Sequence, residues 1–183
     1  MYVLIDMEWI KNCHGQHWPT QLAAIRVSKD WQAVDSFSVL FRPKDNTFQQ
    51  WNHMAFSGWT REDFLNGYGL YPALDAFENW LLSDDIICWW HKEACDLFNM
   101  FTKVAQIRDR TTNVLLLDAY IYGFLAGQKN SVGSPYKLCA ARGIETPEPA
   151  HCSRNDVQAI QSLLVGIGFE QQNLLQPPKQ WVK

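Results

Sequence analysis

The sequence predicts an α/β domain built on a mixed five-stranded sheet, antiparallel over its first three strands and parallel over the last two, with helices on its flanks. Three observations carry this expectation. An apolar run opens the chain, and two stretches rich in β-formers follow it, joined by a three-residue link, as in an antiparallel meander. Further on, two buried-type apolar runs alternate with helical periodicity, a pattern that requires right-handed crossovers and parallel pairing. The 183 residues suffice for one domain with a sizeable core and are few for two. The expected unit is a domain over 1–168 followed by a C-terminal tail, 169–183.

The first strand is Tyr2-Val3-Leu4-Ile5, continued by Asp6 and Glu8. Gln21–Ser28 and Gln32–Pro43 form the hairpin that completes the meander, with Ile10–Pro19 read as a polar loop before it. Lys44–Trp59 shows no sustained period and reads as a long loop. Thr60 caps a short helix over Arg61–Leu65 through the spacing T-x-x-D. Pro72–Leu82 carries Ala73, Leu74, Phe77, Trp80 and Leu81 on one helical face. Asp85–Trp90 (DIICWW) is a central strand with both faces buried, and Ala94–Ile107 is the helix after it. Asn113–Leu117 is the last strand, closed by Asp118 ahead of a helix over Ala119–Ala126. Ser134 and Pro135 start a further helix that ends at Gly143, and Ile144–Ala150 is a loop with two prolines. Ser153–Val165 is the last long helix, and Phe169–Lys183 has no clear pattern.

Composition narrows the function classes. A formal net charge of −3 argues against a protein that coats nucleic acid by wholesale phosphate neutralisation, while leaving room for an enzyme that grips a few nucleotides. The five cysteines are odd in number, contain no C-x-x-C pair and sit behind no leader segment, which suits a reducing, cytoplasmic setting. No apolar run approaches the roughly twenty residues a membrane span needs. Nine tryptophans serve cores, or stack on bases. Cys13, His14 and His17 have no second Cys/His pair at a useful distance for zinc.

The chemistry-bearing pattern begins on the first strand. Alternate side chains of a strand share a face, so Leu4, Asp6 and Glu8 point one way and Val3, Ile5 and Met7 the other. Two carboxylates side by side either share a proton or keep both charges by binding a divalent cation such as Mg²⁺ or Mn²⁺. Equally, acids often mark the solvated end of a strand. Downstream stand Asp96 in the first turn of a helix, Asp156 on the last helix, and His151 five positions before Asp156. Each also has a plainer reading: Asp96 favours the positive helix N-terminus, Asp156 partners Ser153 in S-x-x-D, and His151 is a loop histidine.

Together, D-x-E on strand one (LIDMEW), an acid after a crossover (HKEACDLF) and H-x₄-D on the final helix (AHCSRNDVQAI) resemble the DEDDh family of 3′–5′ exonucleases. FSGWTREDF and KLCAARGIE support the resemblance, which runs from Tyr2 to Ile167. It implies a ribonuclease-H-like fold and hydrolysis of single-stranded RNA or DNA from the 3′ end, releasing nucleoside 5′-monophosphates. It further implies that Asp6, Glu8, Asp96 and Asp156 hold two divalent cations, Mg²⁺ or Mn²⁺, and that His151, which the preceding loop Ile144–Ala150 would let swing in, acts as general base. Trp9 and Lys92 stand where the family often has Thr and Asn; Trp9 is placed to stack on a base and Lys92 to meet a phosphate, or the one packs and the other is solvated. The rival from another class is a non-catalytic nucleic-acid-binding or interaction module on the same scaffold, and the tail leaves room for a protein partner.

Overall fold

In a computed structural model of the chain, residues 1–11, 15–44, 56–106 and 114–175 are described. The sheet has the order β3-β2-β1-β4-β5. β1 (Tyr2–Lys11), β2 (His17–Val27) and β3 (Ala33–Leu40) are joined antiparallel, whereas β4 (Ile86–Trp89) and β5 (Val114–Leu116) run parallel to β1. The mixed five-stranded sheet read from the sequence is the sheet observed. β1 is therefore the strand at which the pairing sense changes, antiparallel on one side and parallel on the other.

The alternation along β1 sorts the core into two halves. Val3, Ile5 and Met7 face a layer made by α2 (Leu70–Trp80) and α3 (Lys92–Val104), meeting Leu74, Phe77 and Phe98. Leu4 faces the opposite layer, made by α4 (Leu117–Phe124), α5 (Pro135–Ala140) and α6 (Ser153–Gly166), with Ile121, Leu138 and Ile160 against it. Both faces of the central strands are covered, which explains why β4 is apolar without alternation. Burial on this scale is the main stabilising term of the fold.

Several boundaries differ from the sequence expectation. Ile10–Pro19 is not a loop throughout: β1 runs on to Lys11 and β2 starts at His17. Ile10 is buried beside Phe64 of α1 (Arg61–Leu65), with Trp18 and Trp59 around it, a tertiary contact that a polar local sequence does not announce. Cys13 and His14 lie outside the described residues, as do residues 45–55 of the expected long loop. α2 begins at Leu70, which puts Pro72 at the third helical position, where its missing N–H would have had no partner anyway. Leu117 opens α4 rather than ending β5. Phe169 and Leu174, in a stretch without sequence pattern, are buried in the second core, Leu174 on a 3₁₀ turn over Gln171–Leu175. Among the described residues no helix is long and apolar enough to cross a membrane.

Candidate active site

β4 pairs with β1 only from Tyr2 to Ile5, so from Asp6 onward β1 projects past the end of its parallel neighbour. The crevice beyond the carboxyl ends of parallel strands is where such sheets place ligands. Asp6 and Glu8 point into it on the α6 side. A register shift after Glu8 pairs Glu8 with Gln21 and Trp9 with Pro19, leaving Thr20 as the extra residue of a bulge. From the facing layer, α6 presents Asp156 in its first turn. Asp6, Glu8 and Asp156 each offer a carboxylate oxygen, and these oxygens lie within 4.8 Å of one another.

Three acids packed this closely cannot all ionise without compensation. Burial first, and the neighbouring Asp156 second, push the Asp6 carboxyl up to about 8. Burial, then Asp6 and Asp156, push Glu8 up to about 9, with a hydrogen bond to Asp156 adding to the rise. Asp156 is also raised by burial, against hydrogen bonds from Glu8 and Tyr136 that hold it down. The Tyr136 hydroxyl, from α5, lies by Asp156 and 3.2 Å from the Pro147 carbonyl oxygen. Among the described residues no lysine or arginine pairs with these three carboxyls. An all-oxygen, desolvated and uncompensated set of this kind fits a hard divalent cation.

His151 stands on the same side, its Nδ1 3.8 Å from Glu8 Oε1, with the imidazole largely in solvent. Its backbone is left-handed, at φ 62°, and the loop before it is tied to α5 by Tyr136 and to α6 by Asn155 Nδ2, which donates to the Pro149 carbonyl at 2.9 Å. Asp96 is placed differently. It sits one turn into α3 with its carboxylate exposed and paired with the Lys92 ammonium, outside the group of three. Lys92 is thereby engaged as well. Trp9 is half-buried and, with Phe56, Gln21 and His151, lines a cavity of about 280 Å³ beside Glu8. A larger cavity, about 500 Å³, is lined by Asp6, Glu8, Asp156 and His151 together with Trp90, His91, Tyr122 and Lys137.

Gln21, Tyr136 and Phe56 were not singled out in the sequence. Gln21 had a signal: a polar residue opening an otherwise apolar strand, QLAAIRV. Phe56 opens the FSGWTREDF stretch that supports the family resemblance, and Tyr136 had no signal, since it reaches the site only through the folding of a segment remote from β1.

No family model matches the sequence, and no curated protein matches it. Solved structures do. The nuclease domain of 3′hExo, a DEDDh family member bound to rAMP, aligns with TM-score 0.75 at 15% identity over 90% of this chain and 89% of its own. Exonuclease I of E. coli in complex with an oligonucleotide aligns with TM-score 0.73 at 15% identity over 94% of this chain, which spans 41% of the exonuclease. A 3′-exonuclease recognising the histone mRNA stem-loop aligns with TM-score 0.73 at 13% identity over 90% of this chain and 62% of its own. The described strands, their order and these alignments agree: the chain has the ribonuclease-H-like fold of the DEDDh 3′–5′ exonucleases.

Proposed function

We propose that this chain is a metal-dependent 3′–5′ exonuclease that hydrolyses phosphodiester bonds at single-stranded RNA or DNA ends and releases nucleoside 5′-monophosphates. The observation that carries the reading is the group of three uncompensated carboxyls with His151 beside it, at the carboxyl end of the strand where the sheet changes sense. Neighbours in fold bind rAMP, a stem-loop RNA and an oligonucleotide, which supports a nucleic-acid substrate.

Asp6, Glu8 and Asp156 would hold the cations, Mg²⁺ or Mn²⁺, and Asp96 is the fourth ligand of the proposal. The present partner of Asp96 is an exposed lysine, a pair worth at most about 1 kcal/mol, so exchanging it costs little. Once bound, a pair of divalent cations stabilises charge on both the attacking and the leaving oxygen of an in-line displacement. His151 takes the proton of the attacking water, a role its open imbalance of burial suits: the ring is reachable from solvent while its backbone is held. Trp9 supplies an aromatic face for the terminal base. Lys92, released from Asp96, supplies a cation for a phosphate.

The test is incubation of the purified chain with 5′-labelled single-stranded RNA and DNA oligonucleotides, with Mg²⁺, Mn²⁺ or chelator, beside an Asp6→Ala control. The expected result is a ladder shortening from the 3′ end, abolished by chelator and by the substitution. Intact oligonucleotides under every metal, together with retarded complexes on a native gel, would leave the binding module as the better account.

A further inference from the structure

Gln21 is the polar side chain that joins the acid-bearing strand pair to the segment carrying His151. It lies on β2 directly opposite Glu8 and is 3% exposed. Its amide is used on both sides. Gln21 Nε2 donates to the His151 carbonyl oxygen at 3.4 Å, and Gln21 Oε1 accepts from the Ser153 backbone N–H at 3.2 Å. One side chain thus grips the backbone before and after Cys152, which is itself buried. That backbone is where His151 adopts its left-handed conformation, a state that a non-glycine residue holds only when its surroundings fix it.

From this geometry we infer that Gln21 is a positioning residue: it sets the separation between His151 and the Glu8 carboxylate by tying the His151–Ser153 backbone to the strand residue opposite Glu8. The inference rests on the exonuclease reading for its consequence in turnover and on the hydrogen bonds alone for its structural part. The chemistry of the residue is matched to the task. A primary amide offers, on two separate atoms of one side-chain end and without any change of protonation state, the donor that a carbonyl needs and the acceptor that an N–H needs. Glutamate keeps the acceptor for Ser153 but, when ionised, has nothing to donate to the His151 carbonyl, and it adds a negative charge opposite Glu8. Methionine keeps the volume and loses both bonds. A capping role limited to the first N–H of α6 would make Gln21 a stability residue and nothing more.

The experiment compares wild type, Gln21→Met, Gln21→Glu, His151→Ala and the double variant Gln21→Met/His151→Ala in steady-state cleavage of a 5′-labelled oligonucleotide, with amide hydrogen exchange read at Ser153. Gln21→Met is expected to lower kcat by roughly 10- to 100-fold, the cost of about 1 Å of misplacement, with KM changed no more than about threefold. Gln21→Glu is expected to fall between Gln21→Met and wild type. The double variant should be no slower than His151→Ala, because the side chain being positioned is already gone. Exchange at Ser153 should quicken in Gln21→Met. Wild-type kcat in Gln21→Met, or a double variant whose losses multiply, would overturn the positioning role. An inactive wild type would overturn the exonuclease reading alone. Unchanged exchange at Ser153 would overturn the grip by Gln21 whether or not the wild type turns over.

Discussion

The two ends of the sheet each gather acids, and they handle the charge in opposite ways. At the end where β1 and β4 start, Asp85 is buried, but Arg26, also buried, reaches it through Nε at 3.1 Å and Nη2 at 2.9 Å, and Nη1 meets Asp35 at 2.8 Å. The same guanidinium lies over Trp80 at 4.2 Å from the ring centroid and donates to the Trp80 carbonyl. Burial pushes Asp85 up, yet the Arg26 hydrogen bonds win and hold the carboxyl below its ordinary range. At the other end no lysine or arginine among the described residues pairs with Asp6, Glu8 or Asp156, and these carboxyls are driven up instead. This difference supports the proposal that the second end takes its positive charge from outside, as a divalent cation.

This contrast breaks most visibly in activity. Asp6→Asn should lower oligonucleotide hydrolysis by at least about 10⁴-fold, the scale on which groups acting as a unit fail together, while the folded state in chelator is kept or slightly stabilised. Asp96→Asn separates stability from function: with an exposed partner its melting should move by the equivalent of less than about 1 kcal/mol, whereas cleavage should be lost if it is the fourth ligand. At the opposite end the signs reverse. Arg26→Ala strands a buried Asp85 carboxylate and should destabilise by about 3–5 kcal/mol in a denaturant titration, with metal binding by the remaining folded protein unaffected.

The smallest expected effect is the pH dependence of stability. Asp6 and Glu8 have folded-state values above the ordinary carboxylate range, so between about pH 4 and pH 9 the folded chain holds more protons than the unfolded one. In chelator this contribution is complete at low pH and is lost as pH rises through about 8 to 9. Asp85 acts the other way, its contribution lost as pH falls through its lowered value. Thermal melts in chelator should therefore decline from pH 6 to pH 9, and Mn²⁺ should raise the melting temperature more at pH 9 than at pH 6. Equal shifts at both pH values would contradict the assignment of the raised carboxyls to the metal site.

How much of this was legible in the sequence follows from how local each cause is. Apolar runs and period-2 alternation placed the strands, and the D-x-E spacing placed Asp6 and Glu8 on one face, because side-chain direction in a strand is a local property. The nearness of Asp156 came only through the family pattern, since two elements 150 positions apart in sequence meet by tertiary packing. The continuation of β1 to Lys11 was hidden because Ile10 is buried by Phe64, a contact with no local trace. The pairing of Asp96 with Lys92 follows the i, i+4 rule for helices and is legible in HKEACDLF, since both residues lie on one face of a single helix. Gln21 was the polar exception in an apolar strand, and its two partners became visible only once α6 was laid against β2.

The most direct measurement is isothermal titration of Mn²⁺ into wild type, Asp6→Asn, Asp156→Asn and, as the control from the compensated end, Asp35→Asn. The account predicts saturable binding in wild type and Asp35→Asn and its loss in both Asp6→Asn and Asp156→Asn. Equal binding in all four proteins, or none in wild type, would contradict the claim that the uncompensated carboxyls at the end of β1 are a divalent-cation site.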